Sequence, residues 1–125
     1  MLAALNIGAV LAGTAVAGLT ASALGLGLGA ALTAVGVEGG AGIGLVVGAC
    51  AGMVAGGWVA GLRAAHSERF HGAVTGLAVA FLVVVIARLR GSAASTVVVA
   101  WMAALGAALA GFSGWVAGRR KRAGD

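Results

Sequence analysis

The stretch Gly40-Ala-Gly-Ile-Gly44-Leu-Val-Val-Gly48-Ala-Cys-Ala-Gly52-Met-Val-Ala-Gly56 repeats glycine at an unbroken spacing of four over five positions. Residues four apart lie on one face of an α-helix. The row is therefore a shallow groove about four turns long, lined by bare backbone. In water such a helix would be poor, because each Gly costs about 1 kcal/mol relative to Ala. In lipid an unpaired peptide group costs several kcal/mol, so the helix forms regardless of propensity. Glycine then lets a second backbone approach closely. This one stretch predicts a transmembrane helix with a packing face at Gly40, Gly44, Gly48, Gly52 and Gly56.

The whole chain supports the same solvent. Of 125 residues, 62% are hydrophobic and 9% charged, with 24 glycines and no proline; the mean hydropathy is +1.12. A soluble domain carries roughly 25% charged residues, so too few are present here to cover a surface facing water. A soluble Gly-rich linker would not carry so much Leu, Val and Ala. The fold class expected is an all-α integral membrane protein, a single membrane domain over 1–125 with Gly/Ala-mediated packing.

Charges divide the apolar sequence into four stretches, Met1–Val37, Gly39–Leu62, Phe70–Ala87 and Gly91–Gly118. A span needs about 20 apolar residues. The expected spans are 4–31, 41–62, 71–88 and 96–117, followed by a basic tail at 119–125. The first stretch is long enough to break near Leu24–Gly29 into two short passes, but one long helix is preferred. No Lys or Arg precedes its apolar run, so it does not read as a secretory signal.

With four spans, both termini and the Arg63–His71 segment share one side. That side carries Arg63, Arg69, Arg119, Arg120, Lys121 and Arg122, against Arg88 and Arg90 on the other. The positive-inside rule then places both termini in the cytoplasm of a cell (inner) membrane. Trp58 and Trp115 fall near the cytoplasmic ends of their spans and Trp101 near the opposite face, depths that indole prefers. The net charge of +5 is concentrated beside a membrane span, so anionic headgroups are the expected partner of these six cations, and nucleic acid is not.

Further glycine spacing extends the packing reading to Gly72 and Gly76 in the third span, and to Gly106, Ala110, Gly114 and Gly118 in the fourth. Gly57 and Gly61 repeat the spacing on a second face of the second span. Asn6, Gly13, Thr20 and Gly27 recur every seven residues and are expected to face the bundle. The partner of the Gly40–Gly56 row is either another helix of this chain, a second copy, or another membrane protein.

Polar chemistry is sparse. His66, Glu68 and His71 are of metal-ligating type, but their spacing matches no firm signature, and the segment reads as a polar loop with Ser67 capping the third helix. Glu38 reads as a surface turn and the lone Cys50 as a small packing residue. No charge falls at the middle of a span, which disfavours proton-coupled transport. No catalytic set can be assembled, and no metal or cofactor site is expected.

The run Gly56-Gly57-Trp58-Val59-Ala60-Gly61, a short basic loop, and His71-Gly72-Ala73-Val74-Thr75-Gly76 resembles small Gly-rich four-span membrane proteins of unknown function, the bacillus YrzE type and related haloarchaeal domains. The resemblance implies four membrane helices and supplies no activity. Three function classes remain. A structural or accessory membrane protein acting through helix–helix association ranks first. An oligomeric pore, holin-like or a small channel, ranks second, and a small transporter third. An enzyme is not expected.

Overall fold

A computed structural model of the chain describes residues 5–89, 91 and 95–124. The start of the first expected span, Arg90 and the last residue of the expected tail lie outside the described residues. The order is α1 (Ile7–Ala34), α2 (Gly40–Arg63), α3 (Glu68–Leu89) and α4 (Thr96–Gly124), all long and apolar enough to cross a membrane. The chain is a multi-pass membrane protein.

Local chemistry sets each boundary. Asn6 stands before α1 in extended conformation, and its side-chain oxygen accepts the Ala9 N–H at 3.1 Å. That satisfies one of the donors a helix start leaves orphaned. Helix α1 then runs unbroken through Leu24–Gly29 and stops at Gly36, whose φ of +82° is a left-handed turn. There the Val37 N–H donates to the Leu32 carbonyl at 3.0 Å and the Gly36 N–H to that of Thr33 at 3.1 Å. This is the Schellman pattern, which closes a helix and satisfies its last carbonyls. The first stretch is thus one pass. At 28 residues and about 1.5 Å per residue it exceeds the hydrocarbon core of about 30 Å.

Two other boundaries differ from the sequence reading. Helix α3 starts at Glu68, because the Ser67 carbonyl already accepts the N–H groups of Phe70 (2.9 Å) and His71 (3.2 Å). His71, expected as the first residue of the span, therefore sits three residues inside the helix. Helix α4 continues to Gly124, so the basic segment is not a tail but the final turns of a helix. Arg and Lys are good helix formers, and cations near a C-terminus complement the helix dipole.

Helices α1 and α2 form one antiparallel hairpin, and α3 and α4 another. In the first, Gly13 faces Gly56, Ala17 faces Gly52, Ala21 faces Gly48, and Gly25 faces Gly44. A Cβ at Gly48 would lie 2.5 Å from the Gly25 Cα, and one at Gly52 2.5 Å from the Ala17 carbonyl oxygen. Gly40 closes the row against Leu32. In the second hairpin Gly72 abuts Ala110 and Gly76 abuts Gly106, both backbone to backbone.

Helix α2 joins the hairpins. Its second face sets Gly57 against Ala110 and Ser113, and Gly61 against Gly114, with α2 and α4 running parallel. Ala110 is fully buried where α2, α3 and α4 meet. Helix α1 also packs against α3, but among the described residues the backbones of α1 and α4 stay apart.

The interior is made mostly of small residues, with Met53, Val79 and His71 as its larger side chains, and the exterior mostly of large ones. Ala9, Ala17, Ala60, Ala80, Ala110 and Ala117 are buried, while Leu19, Leu26, Val46, Phe81, Trp101 and Phe112 point outward. Lipid is as apolar as leucine, so no hydrophobic force draws large side chains inward, and close packing decides what is buried.

The seven-residue stripe of α1 is corrected. Gly13 is buried and Asn6, though open to solvent, bonds to α3 and reaches the end of α2, but Thr20 is half-buried and Gly27 is exposed. The buried set is Ala9, Gly13, Ala17, Gly25 and Gly29, spaced in multiples of four. A row of period four on α2 meshes with a row of period four on α1, whereas a heptad suits the different seam of a coiled coil. Cys50 is likewise exposed on the outer surface and is not an interior packing residue.

Candidate functional site

The polar chemistry gathers at one end of the bundle, where α1 and α3 start and α2 and α4 finish. At its centre is His71, buried to 1% exposure. Its Nε2 accepts the Asn6 backbone N–H at 2.9 Å. Its Nδ1 lies 3.1 Å from the Ser67 carbonyl oxygen, one turn earlier in α3. An N–H donor at Nε2 and a carbonyl at Nδ1 fix the neutral tautomer with the proton on Nδ1. Both ring nitrogens are therefore engaged, leaving no lone pair directed at a ligand.

Asn6 is the other half of this junction. Besides capping α1, its amide group approaches the Arg63 carbonyl at the end of α2, at a long 3.5 Å. Thr75 is fully buried one turn beyond His71 and donates to the His71 carbonyl at 2.9 Å. It also packs where a Cβ on Gly13 would fall. Asn6, His71 and Thr75 thus fasten the start of α1 to α3, and Asn6 reaches α2. The arrangement does structural work: it holds three helix ends together through groups that lipid could not satisfy.

A ring of charge surrounds this junction. Glu68, in the first turn of α3, forms an ion pair with Arg122 of α4. Gly118, one turn before Arg122, makes room for it: a Cβ there would lie 2.6 Å from the Glu68 Cγ. Lys121 Nζ donates to the Leu62 carbonyl at 3.4 Å. The Arg119 guanidinium lies 4.2 Å from the Trp115 ring centroid, and that of Arg120 lies 5.5 Å from the Trp58 ring. Both contacts have cation–π geometry, worth about 0.5–1 kcal/mol at exposed sites.

Among the expected site residues, Arg63, Arg69, Arg119, Arg120, Lys121 and Arg122 all lie at this end and are all exposed. Gly40, Gly44, Gly48, Gly52 and Gly56 line the α1 contact, and Gly72, Gly76, Gly106, Ala110 and Gly114 line the contacts of α3 and α4. His66 is exposed in the short α2–α3 connection and is not joined to His71. Among the described residues no group of His, Cys, Asp and Glu could hold a metal ion. Sequence reasoning missed the Asn6–His71 bond, which links residues 65 apart, and that Gly118, marked by its spacing, makes room for Glu68 and not for a helix backbone. The one signal for the first was a polar Asn at the head of an apolar helix.

No protein-family model, no curated protein and no solved structure matches this chain.

Proposed function

We propose that this chain is a structural or accessory protein of the cell membrane, with both termini in the cytoplasm, that acts through its outer surface. The observation that carries this reading is the filled interior. The glycine rows of α2, α3 and α4 lie backbone against backbone, leaving the axis of one copy filled by main chain, alanine and the apolar side chains of Met53 and Val79. Conduction or transport through a single copy would need a polar path or a lumen there. The engaged nitrogens of His71 also argue against an acid–base role, and so against an enzyme.

Association falls to helix α1, whose membrane-spanning window is the least covered of the four. Its outward Ala23, Gly27 and Ala31 repeat the small-residue spacing, and a Cβ at Gly27 would meet no atom within 4 Å. Such a face suits another transmembrane helix, in a second copy or a different membrane protein. Induced expression with simultaneous measurement of dye entry and complex size tests the reading. The membrane stays intact and Gly27→Leu reduces the complex to the size of one chain. Rapid dye entry would favour the oligomeric pore instead, and a single-chain species before mutation would end the association claim.

A further inference from the structure

We infer that the bundle carries a binding site for one anionic glycerophospholipid, in the groove that α1 and α4 leave open over α2. Because the backbones of α1 and α4 stay apart among the described residues, a strip of α2 is left as the floor of a surface groove. The groove has a volume of about 690 Å³; Leu24 and Leu109 form its walls, and Val47, Ala51, Val54 and Trp58 its floor. From Val47 to Trp58 it follows α2 for roughly 16 Å at 1.5 Å per residue. That is about half of a hydrocarbon core of about 30 Å, the depth of one leaflet and hence of one acyl chain.

Charge complementarity selects the lipid. The groove ends at Trp58, and the Arg120 guanidinium lies over that ring. Lys121 is the next residue on α4, with its ammonium anchored at the Leu62 carbonyl near the end of α2. Glu68, the acid of the described residues at this end, is paired with Arg122 and not with either of these cations. A phosphodiester at Arg120 and Lys121, with one acyl chain running down the groove past Trp58, meets both features at once. Zwitterionic lipid fills the groove equally well but brings a cationic group to the same place. This inference needs the chain to be in a bilayer and does not depend on association through α1.

The test uses Trp58 as reporter in full-length protein carrying Trp101→Phe and Trp115→Phe, reconstituted in phosphatidylcholine vesicles. Phosphatidylglycerol or phosphatidylcholine with brominated acyl chains is added at the same low mole fraction, and fluorescence quenching is read. Trp58 is quenched preferentially by the brominated phosphatidylglycerol, by roughly fivefold for each cation engaged, as expected from about 1 kcal/mol per basic residue near a surface. A matching protein that keeps only Trp115 reports the general enrichment of anionic lipid around the basic end, and its preference is smaller. Arg120→Gln with Lys121→Gln lowers the Trp58 preference to the Trp115 level, and Ala55→Leu, which fills the groove, weakens quenching by both lipids. Equal quenching of Trp58 by the two lipids, or a preference no larger than that of Trp115, overturns the inference even if a variant fails to fold.

Discussion

His71 shows how much one side chain settles in a chain with so few polar groups. Buried among apolar helices, it is satisfied by a backbone donor from Asn6 on one side and a carbonyl acceptor from Ser67 on the other. Leaving a buried donor or acceptor unpaired costs about 1–3 kcal/mol. His71→Ala leaves the Asn6 N–H without its acceptor and opens a cavity, while the Ser67 carbonyl keeps its backbone donors, so it should lower the melting temperature in mild detergent clearly. Nitrogen-15 NMR of labelled histidine should find the Nδ1-protonated tautomer at His71; an Nε2-protonated ring would contradict the Asn6 contact. The neighbouring ion pair is a smaller matter. With Arg122 exposed at 57%, solvent screens it, and pairs of this kind contribute about 0–1 kcal/mol. Arg122→Gln should therefore shift the melting temperature far less than His71→Ala. Identical shifts would mean that the charge, and not the buried imidazole, holds this end.

At the scale of the helix, α2 is the element on which the others depend. It carries two glycine faces, one against α1 and one against α4. The row Gly40–Gly56 was legible in the sequence because its period of four is unbroken. Its partner was not, since a packing row looks the same whether it meets another helix of the chain or a second molecule. Gly48→Leu forces a side chain into the space of the Gly25 and Ala21 backbone. Overpacking a tight interface costs typically about 1–3 kcal/mol, and with backbone on both sides the upper end is expected. Gly42→Leu changes the same residue type two turns or less away, where a Cβ meets no atom within 4 Å. It should leave the melting temperature nearly unchanged, and equal losses for the two variants would refute the assigned face. Gly36 makes a separate prediction. Its left-handed φ of +82° ends α1, and an L side chain there costs roughly 1–2 kcal/mol, so Gly36→Val should destabilise the hairpin without touching its interface.

For the whole molecule, the distribution of charge orients the bundle. Six cations stand at the end that holds Asn6 and His71, and we propose that this end is cytoplasmic. Cys50 is the one native thiol, so a Cys50→Ser background makes labelling clean. In intact cells Ser95→Cys should react with a membrane-impermeant maleimide and Ala123→Cys should not; the reverse pattern would invert the topology. The end-to-end asymmetry also explains why α4 is longer than its membrane span. Its last turns carry Arg119, Arg120, Lys121 and Arg122 as a helical extension, where they reach Trp115, Trp58, Leu62 and Glu68. As a loose tail they would have had no fixed neighbours.

The sequence by itself determined the solvent, the last three spans and the glycine faces, while the single pass of the first stretch came from the unbroken α1 of the structure. Lipid forces every peptide group into a helix, apolar length marks each span, and a strict period of four marks each packing face. It did not determine which faces meet. The antiparallel register of Gly13 with Gly56, the junction of Asn6 with His71, the outward turn of Cys50 and the groove between α1 and α4 came only from the tertiary structure. The physical reason is that glycine packing reads as one pattern whatever it meets, and hydrogen bonds between residues far apart in the chain leave no periodic trace. Only the placement of the two hairpins beside one another decides which small surface is buried against protein and which is left to lipid.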